Sequence, residues 1–300
     1  EPGVCYRLWS ESELFGLAEF TPAEIQEADL APLVLELAQW GARSPDQVAW
    51  IDAPPQAHWQ QAVDLLQWLD LLDADGAITD HGKAARDLGM HPRLAHMVLR
   101  GRALGFGQLA AELAALLEER DLLGPGSGAD LHERIRVVRG QRPPRGLDTA
   151  RLQAVRQAAK RLCRERGSRS EPVATEVGRV LAQAYPDRIA RRRSGEAPRY
   201  QLSNGKGASL RDDDPLARED WLVAADLDGK AREATIYLAA PVDLADLEQD
   251  LAAHIEEREE ALWDDKRGTV VARHVRKLGA LILAEKPLQQ VAPELIQQGL

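Results

Sequence analysis

From Pro32 to Leu162 apolar residues recur mostly every third or fourth position, the spacing of one face of a helix. Pro32 suits a first helical turn, Leu33, Leu37 and Trp40 form a stripe, and Gly41 is placed to end the helix. After Pro54-Pro55 the positions Trp59, Val63, Leu66 and Leu69 mark a second helix. Leu72 to Ile78 reads as strand, turn, strand, and Thr79 is placed to cap a further helix running to Gly89. Helices followed by a short hairpin are the ingredients of a winged helix. From His91 to Gly167 four more apolar stripes follow, at Leu94–Leu104, Leu109–Leu117, Leu131–Val138 with Asp130 as cap, and Leu152–Leu162. Such a set packs naturally as a bundle. Gly124 to Gly128 and Arg142 to Gly146 break it.

The period shortens past Pro186. A helix over Thr175–Tyr185 gives way to five short runs with strand character, Arg188–Arg193, Arg199–Leu202, Ala208–Leu210, Trp221–Asp226 and Glu233–Ala239. Turn residues separate them, among them Ser203-Asn204-Gly205-Lys206-Gly207 and Leu227-Asp228-Gly229-Lys230. Five strands in so short a stretch predict a small barrel, with an OB-type fold leading. An acid-rich helix is expected from Val242 to about Glu260, and Val270–Ala284 is strand-prone. Both ends are unusual. Val4, Tyr6 and Leu8 alternate with Cys5, Arg7 and Trp9 like a strand that needs a sheet, and Ala292–Leu300 is amphipathic and stops without a cap. A segment cut from a longer polypeptide is the expectation.

Composition changes this picture in two respects. The 300 residues carry 38 Lys plus Arg against 48 Asp plus Glu, a net of −10, which argues against a simple basic coat for nucleic acid. Divided along the chain the balance reverses locally: residues 131–211 hold 20 basic and 7 acidic groups, net +13, and the remainder is net −23. Arg156, Lys160 and Arg164 fall four apart on the helix side away from Leu152, Val155 and Leu162, and Arg188, Arg191, Arg192 and Arg193 open the barrel, with Lys206 in one of its turns. Guanidinium groups present paired donors to phosphate oxygens, so this array predicts contact with a nucleic-acid backbone. The competing reading is a solvated or internally paired basic face. Tyr200 and Trp221 are candidate base-stacking platforms, although strand aromatics are more often core.

No catalytic residue, metal site or bound cofactor is predicted. The chain has no P-loop and no HExxH, and Gly205-Lys206-Gly207 lacks the spacing of a phosphate loop. His91 and His96, five apart with no third ligand, suit capping or core roles. Cys5 and Cys163 are too few for a disulfide framework, no apolar run reaches bilayer length, and no signal peptide opens the chain, so a cytoplasmic location is expected.

Several strings resemble DEAH-box helicases. Pro2-Gly3-Val4-Cys5-Tyr6-Arg7-Leu8-Trp9-Ser10-Glu11 is similar to the closing strand of that family's second RecA-like domain. Pro22-Ala23-Glu24-Ile25, with Leu30-Ala31-Pro32-Leu33-Val34-Leu35-Glu36-Leu37, resembles the start of its winged helix. Ile78-Thr79-Asp80-His81-Gly82-Lys83 and Met90-His91-Pro92-Arg93-Leu94-Ala95-His96-Met97 resemble the passage into its ratchet-like bundle. Ala184-Tyr185-Pro186-Asp187-Arg188-Ile189-Ala190, Leu202-Ser203-Asn204-Gly205-Lys206-Gly207 and Trp221-Leu222-Val223-Ala224-Ala225-Asp226 narrow the resemblance to the bacterial HrpB branch.

The resemblance implies a mixed α and β, mostly helical chain: the end of a RecA-like domain at 1–20, a winged helix at 21–89, a ratchet-like bundle at 90–170, an OB-like barrel at 171–241 and an incomplete α/β tail at 242–300. It implies an ATP-dependent, RNA-favouring helicase whose ATP and Mg motifs precede Glu1, so that this segment alone is inactive and holds a single strand. Implied partners are single-stranded nucleic acid, the protein's own RecA-like domains and an activator protein, with no membrane. The alternatives are a module docking protein partners through the barrel or the acidic stretch Asp243–Asp265, and a free-standing winged-helix regulator, the latter disfavoured because Ala42–Gly89 is acidic.

Overall fold

A computed structural model of the chain describes residues 3–4, 6–17, 20–124, 126–141, 146–163, 171–229, 233–264 and 269–288. It divides into two units, Glu1–Asp87 and Leu88–Leu300.

Among the described residues the first unit has four α-helices, α1 (Glu11–Leu14), α2 (Ala31–Gln39), α3 (Gln56–Trp68) and α4 (Asp80–Arg86). Gly41, at φ +90°, ends α2 in a Schellman motif, its N–H donating to Ala38 O at 3.0 Å and the Ala42 N–H to Leu37 O at 2.9 Å. The buried face of α2 is Ala31, Val34, Leu35, Leu37 and Ala38, whereas Trp40, expected in the stripe, is 78% exposed. Alanines fill the ends of the true i, i+3, i+4, i+7 face, and Trp40 is the C-cap, where the helix no longer directs side chains inward. Leu72 and Ile78 form the expected antiparallel bridge, and the Thr79 hydroxyl accepts from the Gly82 N–H at 2.9 Å to start α4. Gly82 is required there, because a β-carbon would stand 2.2 Å from the Leu71 carbonyl oxygen. The opening strand does not form: Val4, Tyr6 and Leu8 are 81, 85 and 96% exposed, and no described strand offers them a ladder. Cys5 lies outside the described residues.

The second unit begins with five helices, α5 (Pro92–Ala103), α6 (Gly107–Leu117), α7 (Leu131–Val138), α8 (Thr149–Leu162) and α9 (Ala174–Ala184). His91 caps α5 through Nδ1, and Asp130 caps α7. Strands β1 (Ile189–Arg192), β2 (Arg199–Leu202), β3 (Gly207–Ser209), β4 (Trp221–Leu227) and β5 (Glu233–Pro241) close a barrel in the order β1-β2-β3-β5-β4. Pairing is antiparallel except between β3 and β5. Ala190, Ala208, Ala224 and Ala239 inside it leave room for Tyr200 and Leu202. Helix α9 lies on β5 so closely that a β-carbon on Gly178 would stand 2.0 Å from the Pro241 carbonyl oxygen.

The acid-rich stretch departs from expectation. Only α10 (Leu244–Asp250) is α-helical, followed by a 3-10 turn at Ala252–His254; β6 (Ile255–Asp264), β7 (Thr269–Leu278) and β8 (Leu281–Pro287) then form an antiparallel sheet. Glutamate favours helix, but here register sets Glu256, Glu257, Glu259 and Glu260 opposite Lys277, Arg276, His274 and Arg273. Cross-strand charge pairing overrides propensity. Arg179 on α9 ties α10 down, bridging Asp246 at 2.8 Å and Asp250 at 2.7 Å. Ala292–Leu300 lies outside the described residues, and no described helix is long and apolar enough to cross a membrane.

Candidate nucleic-acid interface

Register explains the barrel's basic edge. Arg191 pairs directly with Trp221 across β1 and β4, so its guanidinium lies 5.5 Å from the indole centroid, and Nη1 also donates to the Ile282 carbonyl. Arg191 and Arg193 are exposed, whereas Arg192, pairing with Tyr200, is half-buried and its Nε finds no acceptor among the described residues. The period of two in a strand therefore splits the arginine run, sending Arg192 away from the other two. Lys206 is exposed in the β2–β3 turn, where Gly205 takes φ +86° and the Asn204 carboxamide accepts from the Lys206 N–H at 3.0 Å.

Arg188 stands at the joint between bundle and barrel. It lies 4.9 Å from the Tyr185 ring centroid and donates to the Ala225 carbonyl at 2.8 Å. Arg93 of α5 lies 5.4 Å from that ring centroid and grips Asp187 with two hydrogen bonds of 2.6 and 3.0 Å. The carboxylate beside Arg188, 3.9 Å away, is thereby already satisfied.

Arg156 on α8 donates to the Val138 carbonyl at 2.7 Å and the Val137 carbonyl at 3.3 Å. These are orphan acceptors in the last turn of α7, a place where a cation is favoured. Lys160 is exposed and lines the same cavity of about 500 Å³, with Gln108, Glu112, Arg139 and Cys163. No barrel arginine borders it. Arg164 lies outside the described residues.

What unites these positions is the partner each lacks. Arg86, Arg134, Arg139, Arg199 and Arg211 each sit within 3.2 Å of a carboxylate oxygen, which cancels their charge. Among the described residues, Arg156, Lys160, Arg191, Arg192, Arg193 and Lys206 have no such carboxylate. Arg156, Arg188 and Arg191 are held instead by carbonyl oxygens and aromatic rings. A neutral acceptor orients a guanidinium and leaves its charge intact. Among the described residues of the +13 segment, eight arginines have a carboxylate within 4 Å, and Arg156, Lys160, Arg161, Arg191, Arg192, Arg193 and Lys206 have none.

The aromatic candidates separate. Tyr200 is fully buried, its hydroxyl donating to Leu216 O and Glu219 O at 3.1 Å each, and burial pushes its pKa up to about 12. It belongs to the core. Trp221 carries Arg191. An accessible aromatic of the barrel is Tyr237, 52% exposed on β5, beside a groove of about 1020 Å³ that Arg120, Arg151 and Arg211 also line. Exposed Arg120 has no carboxylate partner among the described residues, and only its place beside the glycine break after α6 could have marked it. Asp130, His132 and Glu133 bring three ligand atoms within 4.8 Å of one another, a cluster the spacing did not suggest. All three are used by the fold: Asp130 caps α7, His132 Nε2 bonds to Pro172 O at 2.9 Å, and Glu133 pairs with Arg136 at 2.8 Å.

Comparison with known proteins agrees with this architecture. Residues 254–288 match the family model for the connector region of the ATP-dependent RNA helicase HrpB. HrpB of Escherichia coli strain K12 is 34% identical over 302 residues, covering all of this chain and 35% of that protein. HrpA of the same organism is 30% identical over 124 residues, 40% of this chain and 10% of that one. A crystal structure of the E. coli DExH-box NTPase HrpB superposes with a TM-score of 0.77 over 96% of this chain and 34% of that chain, at 34% identity. Barrel, helices and connector thus correspond to the C-terminal part of HrpB. Over its whole length the chain matches the C-terminal part of HrpB, and it spans about a third of the length of that relative.

Proposed function

We propose that this chain holds a single nucleic-acid strand, RNA in preference to DNA, while RecA-like domains elsewhere in the protein move it by hydrolysing ATP with Mg. In this reading residues 21–89 are a winged helix, 90–170 a ratchet-like bundle, 171–241 an OB-like barrel and 242–300 the tail that carries the connector. The barrel's strand order supports the OB assignment. The segment carries no nucleotide motif and acts as a grip, not a motor. The observation that carries the proposal is the set of cations with no carboxylate partner among the described residues at Arg191–Arg193, Arg156 and Lys160, joined by Arg188, whose neighbouring Asp187 is already gripped by Arg93. Such contacts give affinity and register without sequence preference. The acidic stretch is less suited to docking a partner, because Glu248, Glu257 and Glu260 are paired with Arg276 and Lys277.

Filter binding of single strands over a salt series tests this. Each phosphate contact removed flattens the log–log slope by about 0.7, so replacing Arg191, Arg192 and Arg193 by Ala is expected to flatten it by up to about 2. An unchanged slope in the folded variant removes these residues from the site.

A further inference from the structure

We propose that the connector hairpin is itself part of the strand-holding site, positioning the Arg191 guanidinium for phosphate through the Ile282 carbonyl. This rests on the strand-holding function above and adds the element that orients one of its contacts. The two-residue turn between β7 and β8 seats on the turn between β2 and β3. The Ala280 N–H donates to the Ser203 carbonyl at 2.7 Å, and Gln201 Nε2 donates to the Ala280 carbonyl at 3.4 Å. Gly279 takes φ +56°, and a β-carbon there would stand 2.3 Å from the Ser203 carbonyl oxygen, so no side chain fits between the turns. Ser203 is fixed from below: it is buried, its N–H donates to Ile189 O at 2.8 Å and its hydroxyl to Pro186 O at 2.6 Å.

The seat is thus main chain against main chain. Its register brings the Ile282 carbonyl, two residues beyond Ala280, to Arg191 Nη1. One of five guanidinium donors is spent on a neutral oxygen, the Trp221 ring lies against the group, and the other donors and the full charge remain. A side chain already held loses less rotamer freedom when it meets phosphate than a free one. The string Leu202-Ser203-Asn204-Gly205-Lys206-Gly207 therefore serves as the connector's receptor as well as carrying Lys206.

No side-chain change removes a main-chain carbonyl, so Gly279 is the handle. Binding of fluorescein-labelled oligouridylate to the whole chain is measured over a KCl series for wild type, Arg191→Ala, Gly279→Ala and the double variant. Arg191→Ala is expected to flatten the slope by about 0.7. Gly279→Ala is expected to weaken binding roughly two- to tenfold, the cost of ordering one freed side chain. The double variant is expected to bind as Arg191→Ala alone, because both changes act on one contact. Additive losses, or wild-type affinity in Gly279→Ala beside a weakened Arg191→Ala, overturn the proposal. If Arg191→Ala itself leaves slope and affinity unchanged, the phosphate role of Arg191 fails, and the connector's part in it with it. Should Gly279→Ala lower the thermal midpoint of the chain, Gln201→Ala removes a single bond at the seat. A loss of affinity that disappears in the Arg191→Ala background supports the proposal, and unchanged affinity counts against it.

Discussion

A guanidinium against a carbonyl oxygen leaves its charge uncompensated, and one against a carboxylate has it offset by an opposite charge. That difference, more than exposure, sorts the arginines of this chain. Arg156, Arg188 and Arg191 are held by main-chain acceptors and rings, whereas Arg199, on the neighbouring strand, is paired with Glu233 at 3.2 Å. Tyr200 shows the same need for satisfied partners inside the barrel. Replacing it by Phe removes the donor to the Leu216 and Glu219 carbonyls and is expected to cost about 1 kcal/mol in urea unfolding, with the salt slope of strand binding unchanged. A folded variant with weakened binding would instead make Tyr200 a stacking platform. The residue types of the candidate site were legible in the sequence, because charge and helical spacing are local. Their partners were not: the Arg191 acceptor lies 91 positions away in the chain, and the split of Arg192 from its neighbours needed the strand's register.

Among the elements, those with strong local signals appear where the pattern sets them. Thr79, Asp130 and Gly41 end or begin their helices, and the five barrel strands fall within two residues of their expected limits. Of the sheet β6-β7-β8, the strand character of Val270–Ala284 was legible and that of β6 was not. Glu256, Glu257, Glu259 and Glu260 favour helix, and the strand form of their segment depends on the basic residues of β7, a non-local pairing. That explanation has a pH consequence. The Lys277 ammonium and the Arg258 guanidinium hold Glu260 below its usual 4.5. A carboxylate with a depressed folded value stabilises the sheet fully above 4.5, and this contribution is lost as pH falls through the folded value. Amide NMR signals of β6 and β7 are expected to hold from pH 7 to 5 and to broaden or shift below about 4, ahead of the barrel. Loss of those signals above pH 5, or a simultaneous change in both, would show that the charge ladder does not hold the sheet.

At the scale of the whole molecule, a net charge of −10 conceals a segment of +13 set in a remainder of −23. Among the described residues of that positive segment pairing takes eight arginines, and the cations left lie along the barrel edge and on α8. The central claim is that strand binding reads the surviving cations and not total charge. The most direct measurement compares two triple variants that remove the same formal charge. One replaces Arg191, Arg193 and Lys206 by Ala, and the other replaces Arg86, Arg199 and Arg211, each paired with a carboxylate. Over a KCl series with a labelled single strand, the first is predicted to flatten the log–log slope by about 2, and the second by less than about 0.5. Equal flattening by the two triples would contradict the account.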